Sequence, residues 1–137
     1  MTIENPSREE IGIILKKAKR VAVVGLSNNP ERPSYMISEA MQKAGYEIIP
    51  VNPSVDEVLG VTAASSLKEI AGLVDIVNIF RRSEFLPDLA QQFVEIDADV
   101  FWSQLGVENE EAYQFLKDKG KTVIMNRCIK VEHALTK

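Results

Sequence analysis

Val21-Ala22-Val23-Val24-Gly25-Leu26-Ser27 decides the fold. Four apolar, mostly β-branched residues run without alternation into a glycine, so the strand they form must be covered on both faces. Such a strand belongs at the centre of a parallel sheet. Upstream, Ser7-Arg8-Glu9-Glu10 reads as a capping box, after which Ile11, Ile14, Leu15 and Ala18 share a helix face. Lys16, Lys17, Lys19 and Arg20 then place positive charge where the helix dipole favours it. Downstream, Ile37, Ala40, Met41 and Ala44 give helical spacing from Tyr35 until Gly45 supplies a stop, and residues 46–49 form a second strand.

Pro50-Val51-Asn52-Pro53 is expected to leave the sheet as a rigid loop, because two prolines withhold amide donors. Residues 61–64 read as a short strand, and Ser66-Leu67-Lys68-Glu69 as a second capping box opening a brief helix. A strand follows over residues 75–80. Ser83 is expected to cap the next helix, whose apolar face carries Phe85, Leu86, Leu89, Ala90, Phe93 and Val94, with Pro87 in its first turn. Residues 99–102 make another strand, and Glu110 and Glu111 open a helix that stops at Gly120. A strand at 122–125 and a terminal helix over 129–135 complete the series. Strands alternating with helices along residues 1–137 imply one α/β domain, a Rossmann-like three-layer fold with a mostly parallel sheet of five or six strands.

Composition narrows the function. Sixteen Lys plus Arg against twenty Asp plus Glu leave a net charge of −4, the wrong sign for tracking a nucleic-acid backbone. No apolar run approaches the ~20 residues that span a bilayer, and the N-terminus has no signal-peptide core. One cysteine and one histidine make neither an internal disulfide nor a structural zinc site, and a reducing cytoplasm is the expected location.

In such a sheet ligands settle at the carboxyl ends of the strands, so the loops there carry the candidate residues. The first reads Gly25-Leu26-Ser27-Asn28-Asn29-Pro30-Glu31-Arg32-Pro33-Ser34-Tyr35. Ser27 and Pro30 stand where a dinucleotide fingerprint has its second and third glycines, yet free helix-start amides, two hydroxyls and Arg32 suit an anion. An ordinary proline-rich turn is the competing reading. In the second loop no carboxylate meets a ribose diol, although Asn52 can hydrogen-bond and Val51 can wall an adenine. Arg81-Arg82-Ser83 follows a strand and precedes a helix, an arrangement that invites phosphate unless Glu84 and Asp88 neutralise it. Trp102 offers a ring for stacking or for the core, and Gln104 an amide. Arg127 and a helix start near Cys128 favour a reactive thiol, whereas a lone cysteine is more often a small buried hydrophobe. His133 has no evident partner and reads as a surface or packing residue.

These segments, in this order, resemble the small single-domain CoA-binding proteins, relatives of the CoA-binding domain of succinyl-CoA synthetase alpha subunits. The carriers are the 21–27 strand and turn, Pro30-Glu31-Arg32-Pro33-Ser34-Tyr35, Gly45-Tyr46, Pro50-Val51-Asn52-Pro53, Asp75-Ile76-Val77, Phe80-Arg81-Arg82-Ser83, Trp102-Ser103-Gln104-Leu105-Gly106-Val107 and Asn126-Arg127-Cys128-Ile129. The resemblance implies that coenzyme A or an acyl-CoA is bound through its nucleotide and phosphates. Gly25, Ser27, Arg32 and Ser34 would then face the phosphates, with Asn28 and Tyr35 beside them. Val51, Asn52 and Pro53 would border the adenosine, while Phe80, Arg81, Arg82, Gln104 and Cys128 would line the crevice. Synthetase relatives carry further domains with a phosphorylated histidine, which this chain lacks, so binding without autonomous catalysis is expected. An NAD(P)-dependent oxidoreductase and an interaction module for a synthetase, or for a second copy as a homodimer, are the alternatives.

Overall fold

A computed structural model describes residues 3–137. Helix α1 (Arg8–Lys17) starts as expected, with the Ser7 hydroxyl accepting from the Glu10 amide at 3.2 Å and Glu10 accepting from the Ser7 amide at 3.4 Å. It stops earlier than its charge run suggests, because Ala18 is already extended and Arg20 opens β1 (Arg20–Val24). After α2 (Pro33–Lys43) come β2 (Glu47–Val51) and a small ribbon of β3 (Glu57–Val58) and β4 (Val61–Thr62). Strand β5 (Val74–Ile79) leads to α3 (Leu86–Phe93), then β6 (Ala98–Ser103), α4 (Glu110–Asp118), β7 (Thr122–Ile124) and α5 (Ile129–Thr136). Five strands form one parallel sheet in the order β2-β1-β5-β6-β7.

Both faces of that sheet are buried, as the unbroken hydrophobic run over Val21 to Val24 requires. Val21 and Val23 turn toward Ile11, Leu15, Met41 and Ile129 of α1, α2 and α5. Ala22 and Val24 turn the other way, toward a second core built with Leu89, Phe93 and Leu116 of α3 and α4. The result is the three-layer Rossmann-like arrangement expected from the alternation of elements.

Four local expectations are corrected. Pro50 and Val51 do not leave the sheet but end β2, paired with Val23 and Val24. The strand tolerates Pro50 because β2 lies at the edge and the Pro50 carbonyl points outward, accepting from the Ala64 amide at 2.9 Å. The missing donor is on that outer side, where it interrupts no ladder. Residues 61–64 do not join the main sheet as a full strand: Val61 and Thr62 fold back on β3, and only Ala64 bridges Val51. Ser66 forms no side-chain cap; Glu69 instead accepts from the Ser65 amide at 2.7 Å. Ser83 caps no helix either. It opens a short 3-10 turn (Ser83–Phe85), and its hydroxyl accepts from the Glu108 amide at 3.0 Å, tying the turn to the segment before α4.

The amino end of the sheet is held by polar ties. Asp75 accepts there from the amides of Lys19 and Arg20 at 2.8 and 2.9 Å, while on the helix layer buried Glu132 of α5 receives Arg8 of α1 in a two-pronged contact at 3.2 and 3.3 Å. Tyr46 donates to the Leu15 carbonyl at 2.5 Å with His133 edge-on at 5.6 Å, which makes His133 the packing residue expected.

Two outcomes are expected. A Cβ on Gly25, whose φ is +84°, would lie 2.5 Å from the Phe80 carbonyl oxygen. Gly25→Ala should therefore cost at least the roughly 1–3 kcal/mol of a strained backbone, and an unchanged urea midpoint would refute the close approach. Burial raises the Tyr46 pKa above its ordinary 10.0. Its ionisation is thus harder folded than unfolded, and its contribution is intact below pH 10.0 and declines as pH rises through the higher folded value. Melting temperatures of wild type and Tyr46→Phe should converge above pH 10.0, and parallel profiles would refute it.

Candidate functional site

The switch in strand order falls between β1 and β5, which are hydrogen-bonded neighbours but send their following helices to opposite faces. Their exit loops must separate, and a crevice opens at the carboxyl rim. The Val24 carbonyl still accepts from Phe80 at 2.9 Å, and the Gly25 amide donates to Val51 at 2.9 Å, so three strand ends are locked before the loops diverge.

The loop after β1 is organised by its own hydroxyls and amides. Ser34 accepts from the Ser27 amide at 3.0 Å, Ser27 from the Asn29 amide at 3.0 Å, and Asn29 from the Glu31 amide at 3.0 Å. A hydroxyl that accepts in this way retains its proton for a ligand oxygen. Arg32 stands at the N-cap of α2 without a side-chain capping bond, and Pro33 follows in the first turn. The positive end of the α2 dipole and the exposed Arg32 therefore lie together.

Across the crevice, the Arg81 guanidinium stacks over Phe85 at 4.2 Å from the ring centre, and that of Arg82 lies 5.5 Å from the same ring. Arg82 is partly neutralised by exposed Glu84 at 3.2 Å. Among the described residues Arg81 and Arg32 form no ion pair, so the competing reading, in which surface acids absorb the basic pair, holds for one arginine and not for the other.

Two cavities meet at this crevice and share Gly25, Phe80 and Arg81. One, of about 570 Å³, runs toward the end of β2 along Val51, Asn52, Pro53 and Ser66. Asn52 also staples the rim there, its amide donating to the Leu26 carbonyl at 3.1 Å and accepting from Ser54 at 2.9 Å. The other, of about 1010 Å³, runs toward β6 and α5. Its wall holds Ser27, Arg32, Ser34, Arg82, Gln104 and Cys128.

Hydrogen bonds also fix the far rim of the larger cavity. Asn126, with φ +61°, accepts from the Gly106 amide at 2.6 Å, and its own amide donates to Val107 at 3.1 Å. Trp102 is buried and donates its indole N–H to the Arg127 carbonyl at 2.9 Å, so it belongs to the core and not to the crevice. Cys128 is half-buried at the N-cap of α5.

Of the expected residues, Gly25, Ser27, Arg32, Ser34, Phe80, Arg81, Arg82, Gln104 and Cys128 line the larger cavity, while Val51, Asn52 and Pro53 line the smaller. Asn28 and Tyr35 line neither: Asn28 is exposed on the loop, and half-buried Tyr35 packs beside the α1–α2–α5 core. Sequence reading missed the apolar wall of Ile37, Leu105, Val107 and Val131. Leu105 and Val131 are large apolar side chains left exposed, a signal that emerges only when the helix faces are known. Among the described residues no group of three or more His, Cys, Asp or Glu is placed to hold a metal ion, and no helix is long and apolar enough to cross a membrane.

Known proteins resemble this chain in sequence and in fold. The Bacillus subtilis protein YneT is 66% identical over 135 residues, covering 98% of this chain and all of YneT. The alpha subunit of an ADP-forming acetate–CoA ligase II from Pyrococcus furiosus is 37% identical over 67 residues, 48% of this chain but 15% of that subunit. A solved Thermus thermophilus structure superposes with a TM-score of 0.92 at 30% identity, covering 96% of this chain and all of that one. The family model described as a CoA binding domain matches residues 19–134. With every strand, both cavities and the rim loops inside that match, the chain belongs to the CoA binding domain family.

Proposed function

We propose that the protein binds coenzyme A or an acyl-CoA at the carboxyl rim of its sheet, through the nucleotide and phosphate groups, and has no catalytic apparatus of its own. One observation carries this reading: Arg32, Arg81 and Arg82, drawn from segments about fifty residues apart, line a single cavity that also contains the Ser27 and Ser34 hydroxyls. Guanidiniums and a helix start are what a cluster of phosphate oxygens requires, and the smaller cavity beside them offers Val51 and Asn52 to a base and ribose. The likeness to part of a CoA ligase subunit agrees with that ligand. The absence of an acidic side chain from Val51-Asn52-Pro53 counts against a dinucleotide held by its ribose diol.

Calorimetry tests the reading directly. CoA should bind with saturable heat that an equal concentration of sulfate does not produce, and Arg32→Ala or Arg81→Ala should weaken it about tenfold, the scale of a lost charge-assisted hydrogen bond. Heat from CoA no greater than that from sulfate would overturn it.

Cys128 on the cavity wall adds a chemical test. Its thiolate would attack oxidised CoA disulfide, forming a protein–CoA disulfide and releasing one CoA as thiol. Intact mass should rise by one CoA moiety in wild type and not in Cys128→Ser; an unshifted wild type would refute the placement of the ligand thiol near Cys128.

A further inference from the structure

On the helices, exposed large apolar side chains are confined to one layer. Ile13 of α1, Met36 of α2, and Val131 and Leu135 of α5 are each about half exposed, whereas α3 and α4 expose none among the described residues. Val131 belongs to the wall of the larger cavity at the carboxyl rim. Ile13 and Leu135 do not. They flank a separate groove of about 360 Å³ between α1 and α5, with Glu9 and Lys16 also on its walls. Arg8 meets Glu132 at 3.2 Å, and a Cβ on Gly12 would lie 3.1 Å from the Thr136 Cβ, so the two helices run side by side in the same direction. Neither rim cavity shares a residue with this groove, and what covers it is a question separate from the coenzyme.

The charges on the groove select the occupant. Glu9, Ile13 and Lys16 are exposed and stand three or four residues apart, so they form one stripe along α1, acidic at its start, apolar at its centre and basic at its end. Arg8 is matched by Glu132, while Glu9 and Lys16 form no ion pair among the described residues. An anionic membrane or an acidic peptide would be repelled at Glu9, and a basic peptide at Lys16. A stripe of this polarity turned end for end is its own complement. We infer that a second copy of this chain docks here, its α1 crossing antiparallel about a twofold axis, so that Ile13 and Leu135 of both copies are covered and each Glu9 faces the partner's Lys16. The twofold makes both contacts form together, because the same patch serves on each side. With so few apolar side chains per copy the interface is at the small end of specific ones, and the dimer is weak.

Sedimentation equilibrium of the ligand-free protein at low ionic strength tests the interface. Wild type should pass from monomer to dimer between micromolar and millimolar concentration, and the association should weaken as salt screens the charges. Glu9→Lys alone sets like charges opposite each other at both contacts, and so does Lys16→Glu alone, so each should weaken self-association about tenfold. Mixing the two single variants opposes unlike charges at both contacts again, and the mixture should recover the wild-type association, as should the double variant Glu9→Lys with Lys16→Glu. Recovery separates a lost contact from a lost fold, since a chain that had failed to fold would not regain its partner on mixing. A wild type that stays monomeric throughout overturns the inference. So does a dimer indifferent to both single variants, or a mixture and a double variant no more associated than the single variants. A monomer that sediments with phosphatidylglycerol vesicles would assign the face to a membrane and overturn it as well.

Discussion

The approach of Gly25 to the Phe80 carbonyl is the constraint on which the rim depends. Here β1 and β5 are still bonded to each other, yet the chain after β1 must turn toward α2 on one face while the chain after β5 turns toward α3 on the other. Only a residue without a Cβ, at φ +84°, makes that turn with a backbone carbonyl so near. Because the two loops part from a common point, Arg32 and Arg81 come to line one cavity instead of opposite sides of the molecule.

Side-chain amides and hydroxyls then hold the loops in place. Asn52 ties the β2 exit to the β1 exit, Ser34 and Ser27 brace the loop internally, and Asn126 with Ser103 secures the segment after β6. These bonds are made before any ligand arrives, so ordering entropy is met largely in folding and not in binding. Among the described residues, the groups left over and suited to a ligand are two arginines without ion pairs and the hydroxyl protons of Ser27 and Ser34.

The opposite end of the sheet contrasts with this. Asp75 meets two backbone amides and Tyr46 reaches the Leu15 carbonyl. Polar groups there are consumed in fastening the strand starts to one another and to α1, in keeping with the division of open α/β sheets into a structural amino end and a binding carboxyl end.

Much of this was legible from local pattern. The covered strand at Val21 to Val24, the Ser7–Glu10 box, the helical spacing of Ile37 to Ala44 and the rule that ligands sit past strand ends together specified the three layers and named most residues of both cavities. Where the reading failed, a long-range partner had displaced a local one. Pro50 remains in β2 because the sheet edge happens to face its missing donor, Ser83 bonds Glu108 instead of its own helix, and Ser65 in place of Ser66 meets Glu69. The sequence by itself determined which segments are strands and helices and which loops carry the cations, since periodicity and capping act within a few residues. Only the tertiary structure decided that, among the described residues, Arg81 stays free of an ion pair while Arg82 is paired, and that Leu105 and Val131 share a wall, because each depends on how packing sets the directions of side chains.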